Sequence, residues 1–68
     1  MKLSARNQFV GKVIEISEGA VNSVVKVELE GGEVVTSTIT CEAVKELGLT
    51  IDKDVTAIVK ATEVMVMA

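Results

Sequence analysis

The sequence predicts an all-β fold, a small barrel of five short strands with one helix inserted, and three observations carry that expectation. Apolar and polar residues alternate with period two over residues 21 to 29, as they do in a strand with one buried face. Two adjacent glycines, Gly31 and Gly32, divide segments dense in β-branched residues. The one stretch with the chemistry of a helix start and stop is short, residues 40 to 48.

Residues 9 to 17 suit a first strand, ended by Glu18-Gly19-Ala20. In the second, Val21, Ser23, Val25, Val27 and Leu29 alternate with Asn22, Val24, Lys26 and Glu28, so the first set is expected to face the core. Glu30-Gly31-Gly32-Glu33 reads as a tight hairpin whose paired glycines supply positive backbone angles. Residues 34 to 40 return as strand three. A helix over residues 41 to 47 follows, with the Thr40 hydroxyl as cap, Glu42 in the first turn and Gly48 after the end. Val44 and Leu47 are expected to face inward. Thr50-Ile51-Asp52-Lys53-Asp54 is a turn, residues 55 to 60 a fourth strand and residues 63 to 67 a fifth, after a step at Ala61-Thr62. The order β-β-β-α-β-β matches the small, partly open OB-like barrel.

No proline, repeat or change of composition marks a linker, so residues 1–68 read as a single domain. Apolar residues make up 49% of the chain and Phe9 is the only aromatic, which predicts a thin aliphatic core. Domains this small usually add disulfides, a structural metal or self-association. One cysteine and no histidine nearly close the first two routes, so a homo-oligomer is expected. The lone thiol fits a reducing, cytoplasmic setting. Residues 1 to 8 lack the apolar core of a signal peptide, and no apolar run approaches the roughly 18 residues needed to span a bilayer, so no membrane association is expected. A net charge of -3 has the wrong sign for a nucleic-acid binder.

Catalysis is hard to build without histidine, and Cys41 has no evident base beside it, so the chain is not expected to be an enzyme or to carry a catalytic cofactor. Cys41 reads as a small residue packed at the helix start. The pairs Glu28/Glu30 and Asp52/Asp54 have the spacing of a solvated strand face and a turn, and no bare-cation site is expected. Met65 and Met67 share a face of the expected last strand, which places them in the core or at a subunit interface. More unusual is the polar cluster Ser4-Ala5-Arg6-Asn7-Gln8, whose chemistry returns in Lys60-Ala61-Thr62. By composition alone these would be a frayed terminus and a surface lysine.

That cluster, with Gly11-Lys12-Val13 after it and Lys60-Ala61-Thr62-Glu63-Val64-Met65 near the end, resembles the molbindin or Mop family, also found as the TOBE-like oxyanion-sensing domain of molybdate regulators and transporters. The resemblance spans essentially the whole chain. It implies an OB-like module assembled as a hexamer, a trimer of dimers, holding molybdate or tungstate between subunits for intracellular storage, buffering, homeostasis or delivery. It also implies that Ser4, Arg6, Lys60, Ala61 and Thr62 lie near the oxyanion, while a neighbouring subunit contributes Thr40 and Ala43 from the start of the helix. Relatives often carry serine where Ala43 stands, so any contribution from Ala43 would come through its main-chain N–H. A pterin-bound form of the metal is another cargo, and further sites near the symmetry axes occur in the family.

A tetrahedral dianion needs several convergent donors, and the overall negative charge gives it no long-range attraction, so affinity must be local. Two other readings are a nucleic-acid-binding OB module and a purely structural oligomerisation domain. One phenylalanine and the net charge oppose the first, because such modules stack bases on aromatics along a basic groove. The second leaves the cluster from Ser4 to Gln8 unexplained.

Overall fold

A computed structural model describes residues 4–68. Strand β1 covers Asn7–Glu18, β2 Asn22–Leu29 and β3 Val34–Thr40; helix α1 follows at Cys41–Glu46, then β4 at Asp54–Val59 and a single 3-10 turn at Ala61–Glu63. The strands form one antiparallel sheet in the order β3-β2-β1-β4. This is the expected OB-like arrangement with its fifth strand missing, a curled half-barrel. Among the described residues no helix is long and apolar enough to cross a membrane.

β1 is long because it serves two partners. From Asn7 to Lys12 it pairs with β4, and from Gly11 to Glu18 with β2, so the two ladders overlap at Gly11 and Lys12. At the overlap a side chain has no room, since a Cβ on Gly11 would meet the Glu28 carbonyl oxygen at 2.5 Å and Val27 Cγ1 at 2.8 Å. Just beyond, the register shifts between Val13 and Glu15, which leaves Ile14 as the extra residue of a bulge. Bulges bend a strand and raise its twist, and this one sits where β1 passes from one partner to the other.

The alternation in β2 is real: Ser23, Val25 and Val27 are buried and Asn22 and Glu28 are exposed. Val21 departs from it, because it precedes the strand and lies open to solvent. Val13, Val25 and Val27 are the buried core, against which Ile16, Leu29, Ile39, Val44, Leu49 and Val55 pack. Each fully buried aliphatic side chain contributes about 1.5–3 kcal/mol. Three of them make a thin core.

The β2–β3 connection uses one glycine in the left-handed region where two were expected. Leu29 N–H donates to Glu33 O at 2.8 Å and Gly32 N–H to Leu29 O at 3.0 Å, with φ +92° at Gly32 alone of the pair. That is a three-residue hairpin closed by a left-handed residue. The helix also ends differently. Gly48, at φ +63°, donates to Lys45 O, and Leu49 N–H reaches back to Val44 O at 3.0 Å, the bond pattern of a Schellman stop. The reversal turns Leu49 onto Val44 and the core, whereas Leu47, expected inside, is 60% exposed. Next comes a turn closed by Lys53 N–H to Thr50 O, with Asp52 at φ +71° in the third position, as a type II turn requires. Asp52 N–H donates to Val13 O at 2.7 Å and Val13 N–H to Lys53 O at 3.1 Å, so the turn is sewn to the most buried residue of the core.

The fifth strand expected over residues 63 to 67 does not form. After the 3-10 turn the chain has no strand partner among the described residues, and Met65 and Met67 are 94% and 96% exposed instead of packed in a core. An extended segment gains its backbone hydrogen bonds only from a neighbour, and none lies beside it among the described residues.

Gly11→Ala is expected to lower stability by about 1–3 kcal/mol, the usual cost of forcing a methyl into filled space. Urea denaturation checks this: an unchanged midpoint would mean that the two ladders do not close on Gly11.

Candidate functional site

The β1–β4 ladder runs from Lys12↔Asp54 to Asn7↔Val59. The last pair of the ladder, Asn7↔Val59, adjoins Arg6 on one strand and Lys60 on the other, and so brings to one end of the sheet two polar motifs that lie more than fifty positions apart in the chain. Both residues are exposed, and no ion pair to either occurs among the described residues. This end of the sheet therefore carries two cations with no carboxylate partner among the described residues. Lys12, at the other end of the ladder, is answered within the chain. Its Nζ lies 2.8 Å from Asp54 Oδ1, and that hydrogen bond and charge, with a smaller effect from Asp52, raise its pKa above the ordinary lysine value.

Beside Lys60 the backbone adds donors. The 3-10 turn spends Glu63 N–H on Lys60 O and Val64 N–H on Ala61 O, which leaves the N–H groups of Ala61 and Thr62 at its open front. Ala61 and Thr62 are exposed, as is Ser4 ahead of β1. Gln8, grouped with the donors on sequence grounds, acts locally. Its Nε2 donates to Ala5 O at 2.7 Å and ties down the approach to β1.

Thr40 and Ala43 lie elsewhere. Thr40 pairs with Asn22, beyond Ser23↔Glu18, at the end of the flattened sheet opposite to Asn7 and Val59. Thr40 caps α1 as expected, its Oγ1 accepting from Ala43 N–H at 3.0 Å. That bond engages the one Ala43 group able to donate and uses the Thr40 oxygen as acceptor, not its hydroxyl proton. No hydrogen bond among the described residues joins this pair to the Arg6 and Lys60 end.

Cys41 does more than fill space. Its N–H donates to Val21 O at 2.7 Å, its Sγ lies 2.9 Å from Ser23 Oγ and the thiol donates to Gly19 O at 3.3 Å. Ser23 is only 1% exposed, so the thiol is the partner of a buried hydroxyl. Lys53 is the other unexpected participant, donating from Nζ to Leu47 O at 2.8 Å and Gly48 O at 3.1 Å at the helix end. The partner of Cys41 lies eighteen positions away in β2, and the contacts of Lys53 depend on how the chain reverses at Gly48, so neither role has a local sequence signal. Among the described residues no three His, Cys, Asp or Glu side chains gather as a cation site.

Comparison with known proteins adds a second kind of finding. Residues 3–66 match the model of the TOBE domain. The chain is 53% identical over 66 residues to a "Probable molybdenum-pterin-binding protein" of Haemophilus influenzae, covering 97% of this chain and 96% of the other. Among solved structures it superposes on apo MopII from Clostridium pasteurianum with a TM-score of 0.93 and 43% identity, over 98% of this chain and all of that one. It also superposes on the cytoplasmic molybdate-binding protein ModG in a form with molybdate bound, with a TM-score of 0.87 and 48% identity, over 90% of this chain and 43% of ModG.

The thiol contact makes a sharp expectation. Cys41→Ala strands the Ser23 hydroxyl in the core and should cost about 1–3 kcal/mol, the penalty for an unsatisfied buried polar group. Cys41→Ser keeps a partner and should cost less. Thermal unfolding of the two variants side by side decides, and equal stability would remove Cys41 from this role.

Proposed function

The chain belongs to the TOBE-domain family, among the molybdenum-pterin-binding proteins, and from that premise we propose that it binds molybdate or tungstate at sites between the subunits of a homo-oligomer. The observation that supports the reading is the end of the β1–β4 ladder at Asn7↔Val59, which adjoins Arg6 and Lys60, with no ion pair to either among the described residues. A tetrahedral dianion between them turns a repulsion into two charge-assisted hydrogen bonds. Main-chain N–H groups of Ala61 and Thr62 and the hydroxyls of Thr62 and Ser4 supply further donors around it. These are the ligands we assign to one subunit.

A neighbouring subunit adds the start of α1. Its contribution comes mainly from the Thr40 hydroxyl, which accepts from Ala43 N–H and so has its own proton to give. Ala43 takes part by holding Thr40 in that orientation, or by sharing its N–H with the anion. The separation of Thr40 from Arg6 along the sheet supports a site built from two chains. The assembly is a hexamer, a trimer of dimers. The protein acts in the cytoplasm as a non-catalytic store or buffer for the oxyanion, one module over residues 1–68. A nucleic-acid role is not favoured, given the net charge of -3 and a single aromatic residue.

Calorimetric titration with molybdate tests the ligand set. Arg6→Ala should weaken binding roughly 10- to 150-fold, the equivalent of about 1.5–3 kcal/mol for a charged hydrogen bond. Lys12→Ala should change it little, because Lys12 is already paired with Asp54. Equal losses in the two variants would overturn the assignment.

Selectivity follows from the same donors. Near neutral pH the protein should prefer molybdate and tungstate to phosphate, which still carries a proton and finds no acceptor for it. Stranding that hydroxyl costs about 1–3 kcal/mol. Sulfate is deprotonated but smaller, and should compete weakly because it cannot reach every donor at good length. Displacement of molybdate by equimolar phosphate would contradict a donor-only site.

A further inference from the structure

Besides the valines of the core, Val13, Val25 and Val27, one polar side chain is fully inside the described fold: Ser23, 1% exposed. A hydroxyl in so thin a core adds little apolar contact and costs stability unless it is hydrogen-bonded, so its role is decided by its partner. That partner is Cys41, whose Sγ lies 2.9 Å from Ser23 Oγ. A thiol has one proton, and this one goes to Gly19 O at 3.3 Å, so the serine hydroxyl donates to sulfur. Cys41 N–H donates in turn to Val21 O at 2.7 Å. One residue is thus held at three points by the segment from Gly19 to Ser23, and Gly19 N–H to Asn22 O at 3.0 Å closes that segment on itself.

Cys41 directly follows Thr40, the last residue of β3, which pairs with Asn22. Thr40 has extended backbone and Cys41 begins α1, so the peptide between them is the corner from strand to helix. Fixing Cys41 fixes the direction in which the Thr40 side chain leaves that corner. Glu42 and Ala43 bring no hydroxyl, which makes Thr40 the single one at this helix start.

We propose that Ser23 is a positioning residue for the oxyanion site: through Cys41 it sets the orientation of the Thr40 hydroxyl that a neighbouring subunit presents to molybdate. Ser23 itself touches no anion, because it lies in the core of the half-barrel. The inference rests on Thr40 being a ligand and adds the buried pair that aims it. A donor pointed slightly wrong still bonds, so the loss on removing the pair is smaller than the loss of the hydroxyl.

Calorimetric titration with molybdate, with thermal unfolding followed alongside, tests the role. Replacing both partners of a buried hydrogen bond by apolar groups strands no hydroxyl, so Ser23→Ala combined with Cys41→Ala should melt close to the unaltered protein and keep its oligomeric mass. Its Kd should nevertheless rise about 3- to 10-fold, within what one hydrogen bond is worth. Cys41→Ser alone keeps a partner for Ser23 and should bind within about twofold of the unaltered protein. In a Thr40→Val background the double replacement should add nothing, since the group it aims is gone. An unchanged Kd in the double variant, or an equal loss with Thr40 already replaced, overturns the positioning role and leaves the ligand assignment standing. Thr40→Val alone binding like the unaltered protein overturns both. Where the double variant does not assemble, Ser23→Ala by itself carries the same comparison with and without Thr40, because its thiol keeps the contact with Gly19 O.

Discussion

A β-strand has two hydrogen-bonding edges, and β1 spends both of them along a single run of twelve residues, pairing with β4 at its start and β2 at its end. Such a handover requires the strand to bend, and a bend between two close ladders leaves little volume at its inner side. Gly11 and the bulge at Ile14 meet those two requirements a few positions apart. Val13 lies between them and is fully buried, and the turn at Asp52 and Lys53 hydrogen-bonds to its backbone on both sides. The bend thus lies where the two ladders and the three-valine core meet.

The elements whose logic is local were legible in the sequence. The alternation through Ser23, Val25 and Val27 needs only the geometry of a strand, and Thr40 caps α1 through a hydroxyl three residues from its donor. Sequence and structure part where a residue's place depends on a partner far along the chain or outside it. Leu47 has the spacing of an inward helical residue, but the reversal at Gly48 hands the core position to Leu49. The last apolar run has strand composition and joins no strand among the described residues. Cys41 as a hydrogen-bond partner was invisible because its counterpart, Ser23, lies eighteen positions away.

The polar cluster near the start was conspicuous by composition, yet composition could not say what it faces. Its meaning comes from the strand register, which brings a motif near one end of the chain to a motif near the other. The contrast between Arg6 and Lys12 makes the point physically. Both are exposed cations on or beside the same strand, but Lys12 has a carboxylate directly across from it, whereas Arg6 adjoins the ladder end beside Lys60 and forms no ion pair among the described residues. A local reading of charge cannot separate the two.

Helix α1, only six residues long, has fewer turns than an isolated helix needs to persist in water. Its start is tied to Val21, Gly19 and Ser23 through Cys41, and its end to Lys53 through the carbonyls of Leu47 and Gly48. Those anchors come from the β1–β2 turn, from β2 and from the loop that enters β4. The helix therefore has no private way to open: melting it breaks contacts to the β1–β2 turn, to β2 and to the loop that enters β4. In hydrogen-exchange terms its amides belong to the same cooperative unit as the strands, and their protection should follow global unfolding instead of local fraying.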